Sequence, residues 1–231
     1  MRKTIVIDGR ETLIHVIGDT PEVLLVQTMG KQEEDGIEDE VELIREQVGD
    51  TGFVMAAFLV DDWERELTPW HDDVVSKRDE VGEHANDTLL YLTERLVPFL
   101  YDQYGLLPVI LGGYSLGGLF SRWATSQSDM FEAVACVSPS LWIAGWRQNS
   151  MEYQVKTRNV YLSLGDREEC CKNKSISQVG DNVRWEHDCL TRLLGTDHTI
   201  LEWNQGNHFT DVVKRTARGF VWCVNKVLKY D

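Results

Sequence analysis

Four stretches of this chain are apolar at nearly every position, rather than alternating between apolar and polar. They are residues 23–28, 53–60, 109–114 and 159–164. A strand can be apolar on both faces only where both faces are covered, as in a parallel sheet sandwiched between helices. Residues 131–137 read as a further strand of this set, and 198–203 as the last. Before them, residues 4–8 and 12–17 alternate and flank Gly9-Arg10, the pattern of an antiparallel hairpin. Between the apolar runs the period changes to that of helices. Residues 41–47, 177–194 and 209–228 carry amphipathic patterns, and 30–40 reads as a strongly acidic loop. A long helix is expected from Asn86 or Asp87, either of which would cap it, to about Tyr104, with a kink at Pro98. Strands thus alternate with helices throughout. The pattern predicts an α/β fold, with a mostly parallel central sheet, an N-terminal antiparallel hairpin and helices on both faces.

The chain has 231 residues, 42% of them hydrophobic and 10% aromatic, which suits one α/β domain over 1–231. No repeat or linker divides it. Residues 61–87 lose all periodicity and are rich in Trp, Asp, Glu and His. A segment this long inside a compact domain is a candidate lid. The net charge of −15 opposes binding to phosphate backbones or anionic lipid, so neither nucleic acid nor a membrane is an expected partner. The N-terminus lacks the apolar core of a secretion signal, and the five cysteines have no framework spacing. Free thiols in a cytoplasmic protein are the expectation. Cys170, Cys171, Cys189 and His187 lack the pairwise spacing of a metal site, and no metal or cofactor is called for.

The chemistry concentrates in Gly113-Tyr114-Ser115-Leu116-Gly117, between an apolar run and an amphipathic one. A G-x-S-x-G pentapeptide joining a strand to a helix is the nucleophile elbow of the α/β-hydrolase fold. The serine is forced onto a sharp turn with its hydroxyl above the sheet edge. The glycines are required where strand and helix cross closely. The helix start aims free N–H groups at the same place, so Leu116 is a candidate oxyanion donor. A serine nucleophile on this scaffold needs a carboxylate and then a histidine later in the chain. His208 lies between the last strand and the closing helix, where that histidine belongs. The loop after Leu164 offers Asp166, Glu168 and Glu169 as the acid. The reaction expected is hydrolysis of a small ester through an acyl-enzyme. Acyl transfer to a sugar or alcohol is the alternative chemistry, and a binding protein that keeps the fold without catalysis is the non-enzymatic one.

The runs Gly-Gly-Tyr-Ser-Leu-Gly-Gly-Leu-Phe, Ser138-Pro-Ser-Leu-Trp142 and Glu66-Leu-Thr-Pro-Trp70 together resemble the esterase D or "putative esterase" family. The likeness is to its short intracellular branch, near the siderophore trilactone and feruloyl or acetyl-xylan esterases. It extends from about Val23 to the closing helix. The resemblance implies that the acid lies three residues beyond Gly165, at Glu168. It implies that the second oxyanion donor follows a His-Gly or Asp-Gly pair, which maps to Lys31, although the pair here is Met29-Gly30. It also implies that Trp142 and Trp70 line the cleft. Tyr114, next to the serine, is placed either in that pocket or behind the elbow.

Overall fold

A computed structural model describes all residues except 32, 79, 80, 83, 153 and 229–231. Strands β1 (Arg2–Ile7), β2 (Arg10–Ile17), β3 (Pro21–Met29), β4 (Gly52–Leu59), β5 (Val109–Tyr114), β6 (Phe131–Val137), β7 (Asn159–Gly165) and β8 (Thr199–Asn204) form one sheet. Their spatial order is β1-β2-β4-β3-β5-β6-β7-β8. β1 and β2 pair antiparallel, as does β2 with β4. From β4 to β8 every pairing is parallel. The strands that are apolar at nearly every position occupy this parallel part, and their residues divide between two cores, one on each face. Leu24, Val26, Leu111 and Leu162 join one core, while Leu25, Ile110, Ala135 and Tyr161 join the other. The two-residue period of a strand thus deals alternate side chains to opposite helical layers.

The helices are α1 (Glu34–Val48), α2 (Trp63–Leu67), α3 (Ala85–Tyr91), α4 (Val97–Tyr104), α5 (Leu116–Gln127), α6 (Trp146–Glu152), α7 (Val179–Leu194) and α8 (Val212–Leu228). Three readings of the sequence need correction. The expected acidic loop 30–40 is helical from Glu34. Glu34 and Asp35 occupy the first turn, where they complement the positive end of the helix dipole, and Ile37, Val41 and Ile44 make a buried stripe. The helix expected to open at Asn86 or Asp87 has His84 at its cap position, so both residues lie inside its first turn. Finally, the disturbance expected at Pro98 spreads upstream as a π-helical segment, Leu92–Leu96, joining α3 to α4. There the Val97 N–H donates to the Leu92 carbonyl, five residues back. A proline at 98 supplies no N–H to the ladder, and the wider turn absorbs the mismatch.

The segment 61–87 is fastened down rather than free, where it is described. Asp62 caps α2 by accepting the Arg65 N–H at 3.2 Å, and it holds Arg78 through two hydrogen bonds of 2.7 and 2.9 Å. Asp72, 5% exposed, accepts the N–H groups of Val74 and Ala144, each at 2.6 Å. Residues 79, 80 and 83 of this segment lie outside the described residues.

On the same face of the sheet, a buried ion pair ties three helices together. Arg122 of α5 donates to Glu186 of α7 at 2.7 Å, and Glu186 also accepts from Trp146 Nε1 and Ser150 Oγ at 3.0 and 2.9 Å. Both charged side chains are fully enclosed. Removing one partner strands the other charge without water. Glu186→Ala is therefore expected to lower unfolding free energy by about 3–5 kcal/mol in urea titrations, against under 1 kcal/mol for an exposed pair such as Arg2–Glu38.

Candidate active site

The crossing of β5 and α5 is tight enough to exclude side chains. A Cβ on Gly113 would lie 2.6 Å from the main-chain carbon of Gly117, and one on Gly118 would meet the Gly113 carbonyl oxygen at 3.0 Å. Ser115 sits at the turn with φ 57° and ψ −118°, a conformation that costs an L-residue on the order of 1–3 kcal/mol. Its main chain is held on both sides. The Ser115 N–H donates to the Val137 carbonyl at 3.0 Å, and its own carbonyl accepts the Ser140 N–H at 3.1 Å. Leu116, the first residue of α5, directs an N–H outside the helical ladder.

Two loops at the carboxyl ends of β7 and β8 complete the arrangement. Ser115 Oγ lies 3.0 Å from His208 Nε2, and His208 Nδ1 lies 2.7 Å from Glu168 Oε2. The other two acid candidates are engaged elsewhere. Asp166 accepts the Gly206 N–H at 2.9 Å, and Glu169 pairs with Arg184 at 2.9 Å. The backbone between the loops is also closed: Asp166 N–H donates to Asn204 and Arg167 N–H to Gly206. The position of the histidine is thus set by main chain from both strands.

Glu168 is 7% exposed, and burial pushes its carboxyl pKa upward. Hydrogen bonds from His208, Ser138, Arg215 and the Gly165 N–H outweigh burial and hold it at about 2. Its Oε1 accepts Ser138 Oγ at 2.7 Å, Gly165 N–H at 2.7 Å and Arg215 Nη2 at 2.9 Å, leaving Oε2 for the histidine. Arg215, 1% exposed, comes from α8 and also donates to Tyr114 Oη at 2.9 Å and to Ser138 Oγ. Neither Arg215 nor Ser138 stands out as a site residue in the sequence. The available signal was a charge on the buried stripe of α8, in step with Gly219 and Cys223. Ser138 has φ 43°, a second left-handed position beside the elbow.

Of the residues expected to line the cleft, Trp142 does so. It borders a cavity of about 390 Å³ that contains Ser115, Ser140 and His208, with Ile176, Val179 and Phe209 among the apolar walls. Tyr114 and Trp70 do not border it. Tyr114 points behind the elbow, where its hydroxyl donates to the His208 carbonyl at 2.6 Å. Trp70 donates its Nε1 to the Ala144 carbonyl at 2.7 Å and stacks on Trp146 with ring centroids 6.0 Å apart. Ala144 lies in the loop that continues from Trp142 and Trp146 opens α6 just after it, so Trp70 supports the cleft wall from outside. Lys31 occupies the exposed turn after β3. Ser140 Oγ lies 3.4 Å from Ser115 Oγ and is a neighbour the sequence did not single out.

Comparison with known proteins agrees with this architecture. Residues 46–212 match the family model described as "Putative esterase". The chain belongs to this esterase family. Membership supports ester hydrolysis as its activity. No curated protein sequence matches the chain. Among solved structures, an IroE-like serine hydrolase from Shewanella oneidensis is similar at TM-score 0.77 and 15% identity. That match covers 100% of this chain and 82% of the other. The siderophore hydrolase EstA from Aspergillus nidulans is similar at TM-score 0.71 and 16% identity, covering 98% and 94%. The enterobactin esterase Fes from Shigella flexneri is similar at TM-score 0.65 and 15% identity, covering 98% and 60%. At these identities the likeness shows a shared fold. Among the described residues, no helix of this esterase-family chain is long and apolar enough to cross a membrane.

The carboxyl of Glu168 carries a pH prediction. Its folded pKa lies below the ordinary 4.5, so it stabilises the fold above that pH. The contribution disappears as pH falls from about 4.5 toward about 2. Urea titrations of the native chain and Glu168→Gln should show a gap that is constant at pH 6–7 and narrows through this window.

Proposed function

We propose that the protein is a serine-dependent carboxylic-ester hydrolase that turns over small esters through an acyl-enzyme on Ser115. The observation that carries the reading is the continuous line of hydrogen bonds from Ser115 Oγ through the His208 ring to the buried Glu168 carboxylate. Both ring nitrogens are committed in the sense this chemistry needs. Glu168 fixes the tautomer with the proton on Nδ1 and leaves Nε2 as the acceptor.

The steps then follow. Ser115 Oγ attacks the ester carbonyl carbon while its proton passes to His208 Nε2. The imidazolium is stabilised by the carboxylate of Glu168, which stays ionised because its four donors favour the charged form. The tetrahedral oxyanion receives the N–H of Leu116 and a second main-chain donor from the turn after β3, assigned to Lys31. Collapse of the intermediate breaks the bond to the alcohol oxygen, which leaves with the proton from Nε2. Water, deprotonated by the same nitrogen, attacks the acyl-serine, and release of the acid returns the proton to Ser115. Each oxyanion donor contributes on the order of 3 kcal/mol to lowering the barrier. The apolar cavity walls, with Trp142, suit an apolar acyl or alcohol portion.

Ser115→Ala should fold with an unchanged urea midpoint or a slightly higher one, since it relieves no packing. It should reduce hydrolysis of p-nitrophenyl acetate by on the order of 10⁴-fold or more. A Ser115→Ala protein that retains full activity would sink the reading.

A further inference from the structure

Two aromatic rings contact His208. Tyr114, with its centroid 5.2 Å from that of the imidazole, lies behind the elbow and outside the Ser115 cavity. Phe209, 5.3 Å away with the two planes at 87°, borders the cavity. Phe209 is also 85% exposed. A ring left in water contributes little to the fold, because the stabilisation comes from area removed from water. A solitary exposed apolar side chain is ordinary on a protein surface. Phe209 differs in its place, next to His208 and in the wall of the cavity that holds Ser115.

The main chain holds the ring there. The Phe209 N–H donates to Asn207 Oδ1 at 2.9 Å, the Asn207 N–H to Thr210 Oγ1 at 3.1 Å, and the Thr210 N–H to the Asn207 carbonyl at 3.1 Å. Gly206 enters this turn at φ 119°, and a Cβ on it would meet Thr210 Oγ1 at 2.5 Å. These bonds fix the turn that carries Phe209, so only the side-chain torsions of the ring remain free. An aromatic side chain is thus presented to the cavity by a tight, hydrogen-bonded turn, with most of its surface bare.

The chemistry says which part of an ester passes that ring. As the tetrahedral intermediate collapses, His208 Nε2 protonates the departing alcohol oxygen. That oxygen must therefore lie within hydrogen-bond reach of Nε2, about 2.6–3.2 Å. The carbonyl oxygen is drawn elsewhere, to the N–H of Leu116 at the start of α5. The alcohol portion thus sits beside His208, where Phe209 stands. We propose, resting on the ester-hydrolase reading above, that Phe209 determines specificity on the alcohol side and selects esters whose alcohol portion carries an aromatic ring. Such a ring covers the bare surface of Phe209 inside a cavity that Trp142 also walls. Contact between aromatic rings changes affinity by about three- to tenfold beyond the effect of the area buried.

The test compares benzyl acetate with methyl acetate on the full chain. Both give the same acetyl-enzyme on Ser115, from alcohols of similar basicity, so a difference in kcat/KM arises while the alcohol is still bound. The native chain should prefer benzyl acetate. Phe209→Ala should lower the benzyl-to-methyl ratio of kcat/KM by about three- to tenfold. Phe209→Tyr keeps the ring and should keep the ratio. Both variants are expected to fold, since a ring this exposed gives up little packing, and their urea midpoints check that. An unchanged ratio in Phe209→Ala would overturn the assignment. So would a loss equal for the two esters, which would show that the ring only steadies His208. Ser115→Ala in the same assays keeps the two readings apart. Hydrolysis that is absent from the native chain, or that survives Ser115→Ala, would sink the ester-hydrolase reading and the role of Phe209 with it. Hydrolysis that needs Ser115 but ignores Phe209 would sink only the role of Phe209.

Discussion

The approach of β5 to α5 at Gly113 and Gly117 is the constraint on which the rest of this site depends. Where the two main chains come so close, the residue between them has no regular conformation available, and Ser115 takes φ 57°. That strain is maintained because the parallel strands on either side are fully buried and cannot yield. Val137 and Ser140 of the neighbouring strand and loop grip the Ser115 main chain directly. The sheet order then does the remaining positioning. β6, β7 and β8 follow β5 in both sequence and space, so the loops carrying Ser138, Glu168 and His208 fan out along one edge. Ligand sites in open α/β sheets lie beyond the carboxyl ends of strands for this topological reason.

The second tier is electrostatic. A carboxylate as buried as Glu168 would ordinarily gain a proton, and a neutral acid could not stabilise a positive imidazole. The His208 hydrogen bond on one oxygen and three donors on the other reverse that tendency, and the three come from different elements: β7, the loop after β6, and α8. Arg215 connects them. Its guanidinium touches Glu168, Ser138 and Tyr114, and Tyr114 in turn holds the His208 carbonyl. The closing helix thereby locks the acid, the elbow and the histidine loop to one another. Hydrogen bonds to a charged group contribute about twice as much as neutral ones, so this lock serves stability as well as chemistry.

Much of this was legible in the sequence because it rests on local rules. Strands apolar at nearly every position announce a covered parallel sheet, and a G-x-S-x-G run between strand and helix announces the elbow. Chain order supplied His208, and the resemblance placed the acid at Glu168 among three candidates that spacing left open. What stayed hidden was of another kind. The start of α1 was masked because Glu34, Asp35 and Glu38 to Glu40 look like a solvated loop, although only the spacing of Ile37, Val41 and Ile44 marks the buried face. Tyr114 precedes Ser115 in sequence yet faces away from the cleft, since neighbouring residues point to opposite sides, while Trp70 is held outside the cleft by Ala144 and Trp146. Arg215 owes its place in the site to Glu168, Ser138 and Tyr114 on distant elements, and no periodicity reveals that.

If the elbow presents Ser115 as a nucleophile primed by His208, a fluorophosphonate should find it in the folded chain, and peptide mass spectrometry should locate the adduct. One phosphonyl group per chain is expected, on Ser115, formed rapidly in the native protein and orders of magnitude more slowly in His208→Asn. A folded chain that stays unlabelled, or labelling at a different serine, would contradict it.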